Sequence, residues 1–243
     1  MDTDYFDNQL KEHEIYISQS KKKQLFAYAE MLIRWNKKIN LVGNNSVQDA
    51  VDNLILDTLI GWSKMRSKCD DLSKIEILDL GSGGGIVGIP IKIMEETNKV
   101  FLLESNKKKC FTLDEIISSL SLSSIITLNT RAEILGRNPD YRERFGIIVV
   151  RAVSSIGSLI ELSFPLLRKG GWLFSYKSSS VMEEISEAQK SMRAFNGEFS
   201  DIKSYKLPKR VKKQSCIVPI KKSGKVDPEF PRRAGIAQKR PKT

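Results

Sequence analysis

The chain has 243 residues, 40% of them hydrophobic, and carries a formal net charge of +11. This length suits one α/β domain with an appendage, and no apolar run approaches the ~18 residues that a membrane-spanning helix requires. Three widely spaced cysteines argue against a disulfide framework or a zinc site, and the first ten residues are too polar for a signal peptide. We therefore expect a cytoplasmic protein that has no membrane partner.

The positive charge is concentrated in the last part of the chain. Residues 206–243 contain thirteen lysines and arginines but only two acids, whereas the rest of the chain holds equal numbers of bases and acids. A basic terminal segment can simply keep a protein soluble. Beside a nucleotide-type binding site, it is better explained as a surface that attracts nucleic acid.

Two amphipathic helices are predicted in the first third of the chain. Apolar residues recur every three or four positions in residues 21–41 and again in residues 46–62, where Ser46 and Asp49 have the spacing of a capping box. Residues 1–20 show little pattern, and residues 64–74 form a polar linker. We expect residues 1–72 to form a helical cap on an α/β domain.

Residues 75–90, IEILDLGSGGGIVGIP, are the segment around which the remaining elements are arranged. A β-branched apolar run reaches Leu80 and is followed by glycines at positions 81, 83, 84, 85 and 88. A helical pattern of isoleucines comes next. A strand, a glycine turn and a helix in this order open a doubly wound α/β domain, in which the backbone passes close to a ligand.

Two kinds of ligand fit this turn. The pattern Gly81-x-Gly83-x-Gly85, preceded by Asp79, resembles the loop that binds S-adenosylmethionine (SAM) in class I methyltransferases. The overlapping pattern Gly83-x-Gly85-x-x-Gly88 instead fits the dinucleotide-binding fingerprint. Asp79 favours SAM, because a carboxylate can meet its amino group but would repel a pyrophosphate. Glu104 lies about 20 residues after the first glycine, as expected of an acid that binds ribose hydroxyls. SAM is therefore the preferred ligand, and an NAD-linked oxidoreductase remains the alternative.

Further candidates follow the next strands. Residues 107–120 predict a helix, and residues 125–128 predict a strand that leads into Ala132 and Glu133. Glu133 is a candidate neighbour of an adenine, or alternatively an exposed turn acid. The continuous apolar run 145–150 is typical of a parallel strand covered on both faces. Arg151 follows at its carboxyl end, where ligands bind in such sheets, and could orient a substrate phosphate or the cofactor carboxylate.

The C-terminal third predicts the edge of the sheet and a tail. Residues 155–167 and 181–196 predict helices on either side of the strand WLFSYK, and residues 202–207 and 215–220 predict a hairpin. Residues 73–222 should thus form the SAM-binding domain. Residues 223–243 are rich in proline, glycine and charge, and we expect a basic arm that orders only on its partner.

Several segments together resemble the bacterial small-subunit rRNA guanine-N7 methyltransferases, the RsmG (GidB) family. The resemblance implies a class I SAM-dependent methyltransferase fold, Rossmann-like and mostly parallel with an antiparallel C-terminal edge. It also implies SAM as methyl donor, S-adenosylhomocysteine as product, and a guanine in the decoding-centre loop of 16S rRNA as target. The segments are MLIRWNKKINLVG from Met31, LDLGSGGGIVGIP from Leu78, LLESNKKKCF from Leu102, RAE from Arg131, VVRAVSS from Val149 and FPRRAGIAQKRPK from Phe230.

The resemblance also implies functional residues. Guanine N7 carries a free lone pair and needs no general base, so no catalytic residue is assigned and Arg151 is the one candidate. The candidate RNA contacts, chosen for their positive charge, are Lys37, Lys38, Arg151, Lys177, Arg232, Arg233, Lys239 and Arg240. The implied SAM contacts are Gly81, Ile86, Ala132, Glu133 and Arg151, with Glu104 on the ribose.

The chain departs from the family pattern at three places. Val87 stands where the family usually has proline, Asn53 and Leu54 stand where an Arg-His pair is usual, and Ser178 replaces a common glycine. A role for that histidine is therefore not carried over. We expect a monomer that acts on 16S rRNA or on a small-subunit particle; a non-catalytic rRNA-binding or assembly factor with a SAM fold is the other alternative.

Overall fold

The computed structural model describes residues 2–43, 46–69, 71–178, 181–207, 211 and 214–241, without the side chain at position 190. Within these ranges the chain builds one eight-stranded sheet in the order β3-β2-β1-β4-β5-β8-β6, and β7 also pairs with β8. The first five strands are parallel, and β8 runs antiparallel to β5. The strands are β1 (Ile77–Leu80), β2 (Val100–Glu104), β3 (Ile125–Asn129), β4 (Phe145–Arg151), β5 (Leu167–Ser178), β6 (Gly197–Phe199), β7 (Lys203–Lys206) and β8 (Gln214–Lys222).

Helices cover both faces of this sheet. They are α1 (Thr3–Glu12), α2 (Gln19–Asn36), α3 (Val47–Ala50), α4 (Leu56–Met65), α5 (Gly88–Met94), α6 (Lys107–Ser119), α7 (Ala132–Leu135), α8 (Ile156–Ser163), α9 (Met182–Ala194) and α10 (Ile236–Lys239). A π-helical turn, Val51–Ile55, joins α3 to α4. In the described ranges, no helix is both long and apolar enough to cross a membrane.

Strand β4 shows why the sheet is buried on both sides. Ile147 and Val149 point into a core shared with α2, α4, α5 and α6, whereas Ile148 and Val150 point into a core shared with α8 and α9. Alternate residues of a strand face opposite sides, so a continuous apolar run is needed when both sides are covered. The predicted α/β class with a parallel sheet and an antiparallel edge is confirmed.

The N-terminal helices share the first of these cores, so they are packed directly on the sheet. The capping start at Ser46 is confirmed, since its Oγ accepts a hydrogen bond from the Asp49 N–H at 3.0 Å. Helix α1 was not predicted. It is anchored by two buried apolar residues, Phe6 and Leu10, which are too few to produce a clear periodicity.

The predicted C-terminal hairpin is also confirmed, because β7 and β8 pair antiparallel. The prediction for residues 223–243 was wrong for the described residues, which pack against the domain. Phe230 and Ala237 are only 4% and 1% exposed, and Arg232 forms an ion pair with Glu161 of α8. Arg142 donates hydrogen bonds to the carbonyl oxygens of Val226, Asp227 and Phe230. Composition could not reveal these partners, because they lie far away in the sequence.

Candidate active site

A crevice opens at the carboxyl ends of β1, β2 and β3. Gly81 of the loop after β1 lines the crevice. In this loop Gly81, Gly83 and Gly85 have φ values of 75°, 57° and 79°, a region that favours glycine. A Cβ atom on Gly81 would lie 2.6 Å from Cγ2 of Val153, so the loop and the turn after β4 approach too closely for a larger residue. The lining residues are Leu80, Gly81, Leu103, Glu104, Ser105, Thr130, Arg131, Ala132, Glu133, Val153, Leu162 and Gln238.

Glu104 ends β2 at the rim of this crevice. Its Oε2 accepts a hydrogen bond from the Gly83 N–H at 3.0 Å, and its Oε1 accepts one from the Asn106 N–H at 2.8 Å. These bonds fix the carboxylate, and each oxygen keeps a lone pair for another donor. The half-buried carboxylate is therefore arranged to accept hydrogen bonds from a diol such as a ribose, as the sequence predicts.

Asp79 lies below the loop and is not among the residues that line the crevice. It is 2% exposed, and its Oδ2 accepts a hydrogen bond from the Gly88 N–H at 2.9 Å. Burial raises the pKa of Asp79 to about 7, although its hydrogen bonds favour the charged form. The structure thus gives Asp79 a role in joining the glycine loop to α5; its contact with a SAM amino group stays a prediction.

The N-terminal helices hold the glycine loop from the other side. The Tyr28 hydroxyl donates to the carbonyl oxygen of Gly84 at 2.9 Å, and the Thr58 hydroxyl donates to that of Ile86 at 3.0 Å. Ile86 is half-buried, and Val87, where the family usually has proline, is buried. Neither Tyr28 nor Thr58 was singled out from the sequence, because both fall at ordinary core positions of amphipathic helices.

Ala132 and Glu133 begin α7 and line the crevice, as predicted for residues near an adenine. Glu133 is buried, and its Oε1 accepts a hydrogen bond from the Gly235 N–H at 2.8 Å, so the alternative of an exposed turn acid is wrong. The C-terminal segment thus forms one wall of the crevice, to which Gln238 also contributes. Sequence reasoning missed this wall because it placed the segment outside the domain.

Arg151 faces a second cleft of about 230 Å³ on the other side of the turn after β4. Its Nη1 lies 2.9 Å from Oδ2 of Asp57, and its Nη2 donates to the carbonyl oxygen of Asn53 at 3.0 Å. Arg151 thus lies apart from the four predicted cofactor residues that line the first crevice, and its contact with SAM stays a prediction. These four are Gly81, Glu104, Ala132 and Glu133. The second cleft is lined by Asp57, Arg151, Ala152, Tyr176, Lys177, Ser178 and Ser215.

The predicted RNA-contacting residues fall into two groups. Arg232 and Lys177 are engaged within the protein, since Arg232 pairs with Glu161 and the Lys177 ammonium lies 2.6 Å from Glu184. The others are exposed at two places, near the end of α2 and in the C-terminal segment. This exposed group comprises Lys37, Lys38, Arg233, Lys239 and Arg240.

The sheet order, the glycine loop and the acid that ends β2 define a class I methyltransferase-like fold with a nucleotide-type site. Two solved structures share this fold. TrmN from Thermus thermophilus gives a TM-score of 0.51 at 13% identity, covering 68% of this chain and 48% of that chain. A protein of Agrobacterium tumefaciens described as a predicted O-methyltransferase gives a TM-score of 0.50 at 16% identity, covering 72% and 83%.

The family follows from sequence comparison. Residues 21–214 match the family described as rRNA small subunit methyltransferase G. Proteins named ribosomal RNA small subunit methyltransferase G are similar to the chain: one from Carboxydothermus hydrogenoformans is 36% identical, covering 92% of this chain and 93% of its own length, and one from Staphylococcus aureus is 31% identical, covering 99% and 98%. The chain belongs to this family of SAM-dependent methyltransferases, and the alternative of an NAD-linked oxidoreductase is rejected.

Proposed function

We propose that the protein transfers the methyl group of SAM to N7 of a specific guanine in the decoding-centre loop of 16S rRNA, acting as a monomer. The observation that carries the proposal is the fixed carboxylate of Glu104, which accepts a hydrogen bond from the glycine loop and lines the same crevice as Gly81. A diol-binding acid beside a glycine loop suits the ribose of an adenosyl group. Ala132 and Glu133 are placed to line the space for its base.

The reaction needs little acid–base chemistry from the protein. The N7 lone pair forms a bond to the methyl carbon, the carbon–sulfur bond breaks, and the sulfur keeps the electron pair, so that no proton moves. Catalysis then depends mainly on holding the two reactants in line, which can contribute up to ~7–11 kcal/mol. The N–H groups of the glycine loop and the Glu104 carboxylate orient the methyl donor.

Exposed cations at two places support an RNA substrate. Lys37 and Lys38 follow α2, and Arg233, Lys239 and Arg240 belong to the segment that also walls the crevice. Contacts of this type bind phosphates and position an RNA without reading its sequence. The affinity should therefore fall with added salt, with a slope in log–log form of roughly −0.7 to −0.9 per neutralised phosphate.

Methyl transfer from labelled SAM to unmethylated small-subunit RNA tests the proposal directly. Both free 16S rRNA and small-subunit particles should be offered, and the product should be mapped by chemical cleavage at N7-methylguanine. We expect one modified guanine in the decoding-centre loop. Absence of transfer to both substrates would refute the activity, and a modification at another atom or loop would refute the assigned target.

A further inference from the structure

The second cleft shares no lining residue with the crevice around Glu104. An engineered cavity of ~150 Å³ can hold benzene, so a cleft of about 230 Å³ has room for a flat bicyclic base. We propose that this cleft receives the target guanine and that Asp57 recognises the edge of the base that carries N1 and the 2-amino group. The inference rests on the proposed function, since it concerns the base that is methylated.

Asp57 is a buried acid in an otherwise apolar stretch of α4. It is 3% exposed and is one of the residues that line the second cleft. Its Oδ1 accepts a hydrogen bond from the Tyr205 hydroxyl at 2.7 Å, and its Oδ2 lies 2.9 Å from Nη1 of Arg151. Burying a carboxylate is costly unless it is paired and hydrogen-bonded. These contacts fix its orientation, and two lone pairs remain for a ligand.

Guanine carries the donors that match this carboxylate. Its N1–H and 2-amino group both donate along one edge, whereas adenine presents an unprotonated N1 at the corresponding position. A carboxylate only accepts hydrogen bonds, so with adenine the lone pair of N1 would face a lone pair of the carboxylate and repel it. Enzymes that modify a base commonly read this edge after the base has left its stack. Asp57 therefore favours guanine over adenine, and N7, on the opposite side of the purine, stays free.

The turn after β4 links the two clefts. Arg151 and Ala152 line the second cleft, and the next residue, Val153, lines the first crevice. Ala152 has a φ of 56°, which marks a sharp turn at this point. A base held by Asp57 in the second cleft can therefore direct its far edge toward the crevice that contains Glu104.

Methylation also changes the charge of the base. The N7 lone pair forms the new bond to carbon while the sulfur keeps the electrons of the broken bond, so the positive charge passes from the sulfonium to the purine. A carboxylate bonded to N1–H interacts more strongly with that cation than with neutral guanine. Binding that strengthens as the reaction proceeds lowers the barrier. Asp57 would be in contact with the reacting base, and Arg151 and Tyr205 would be positioning residues.

Inosine, which lacks only the 2-amino group, provides the first test. We expect wild-type protein to methylate 16S rRNA with inosine at the target position with a kcat/KM about 10- to 150-fold lower than with guanine, the effect of losing one hydrogen bond to a charged group. Equal rates on the two RNAs would overturn the inference. Transfer to neither RNA would show that the proposed function itself is wrong.

The variant Asp57→Asn separates recognition from a purely structural role. It keeps the shape of the side chain and should lower kcat/KM on guanine while reducing the preference for guanine over inosine to a few-fold. The matched control is Asp52→Asn, a similarly buried aspartate outside the cleft that accepts a hydrogen bond from Gln48; it should retain the full preference. If Asp57→Asn slowed both RNAs equally, Asp57 would be structural. If Asp57→Asn did not fold, as shown by loss of SAM binding, the rates of wild-type protein on guanine and inosine RNA would decide whether the 2-amino group is recognised.

Discussion

Replacing Arg232 with alanine tests whether the C-terminal segment is a structural part of the domain. Its Nε and Nη2 donate to the two carboxylate oxygens of Glu161 at 2.8 and 2.5 Å, and its backbone N–H donates to Oε1 at 3.2 Å. The Glu161 side chain is fully buried, whereas that of Arg232 is 28% exposed. The hydrogen bond to Glu161 raises the pKa of Arg232. The variant would leave the glutamate buried without its cation.

Removing one member of a buried ion pair typically costs 3–5 kcal/mol, because the remaining charge is uncompensated. Since solvent reaches part of Arg232, we expect a smaller loss of about 2–4 kcal/mol in the free energy of unfolding. For a chain of this size, that loss corresponds to a decrease in Tm of about 4–16 °C. Urea unfolding and thermal unfolding measure the two quantities independently. The double variant Glu161→Gln with Arg232→Met should recover much of the loss.

The neighbouring residue provides a matched control. Arg233 is exposed, so Arg233→Ala should change the unfolding free energy by less than about 0.5 kcal/mol. It should instead weaken RNA binding and reduce the salt slope by about one phosphate. If Arg232→Ala left stability unchanged and weakened only RNA binding, the ion pair with Glu161 would not stabilise the fold, and Arg232 would be an RNA contact as the sequence predicts.

Three further predictions concern the crevice. Gly81→Ala should weaken SAM binding in calorimetry, because the new methyl group would lie 2.6 Å from Val153. Gly170 has a similar φ, but a methyl group there would meet no atom within 4 Å, so Gly170→Ala should leave SAM affinity unchanged. Equal effects of the two variants on SAM affinity would contradict the steric argument. Glu104→Ala should weaken SAM binding by about 1.5–3 kcal/mol, and an unchanged dissociation constant would remove Glu104 from the site. Burial raises the pKa of Asp79 from 3.8 to about 7, so between those pH values the folded protein holds a proton that the unfolded chain has released, and stability from this position falls as the pH rises. As the pH rises across that range, the unfolding free energy of Asp79→Asn should therefore increase relative to that of wild type by up to about 1.4 kcal/mol per pH unit, as measured by urea unfolding. A difference between the two proteins that does not change with pH would contradict the raised pKa.

The fold was predictable where local patterns carried it. The continuous apolar run of β4 indicated a strand covered on both faces, and the glycines after β1 indicated a tight turn at a ligand site. The covered strand and the tight turn are found. Pairing partners far apart in the sequence were not predictable. The segment after residue 223 has the composition of a disordered tail, yet it packs because Glu161 and Arg142 provide the charges and donors that satisfy it.

The site shows the same division. The structure places Glu104 beside the glycine loop, as its distance along the chain from the first glycine predicts, and its contact with a ribose stays a prediction. Arg151 lies at the predicted strand end but lines the second cleft, because sequence alone does not show toward which cleft a side chain points; its contact with SAM stays a prediction. Asp57 offered a signal that was passed over: one acid inside an apolar helical stretch, which requires a partner.

The division between a helical cap and a catalytic domain at position 72 does not describe how the site is built. Two successive residues of α4 are linked to different clefts. Asp57 lines the second cleft, and the Thr58 hydroxyl donates to the carbonyl oxygen of Ile86 in the glycine loop, whose Gly81 lines the first. The Tyr176 hydroxyl of β5 donates to the carbonyl oxygen of Thr58 at 3.0 Å, which ties this turn of α4 to the sheet. A shift of α4 would therefore move both clefts together. If the second cleft receives the guanine as proposed, the N-terminal helices help to set the position of one reactant relative to the other, on which an alignment-driven methyl transfer depends.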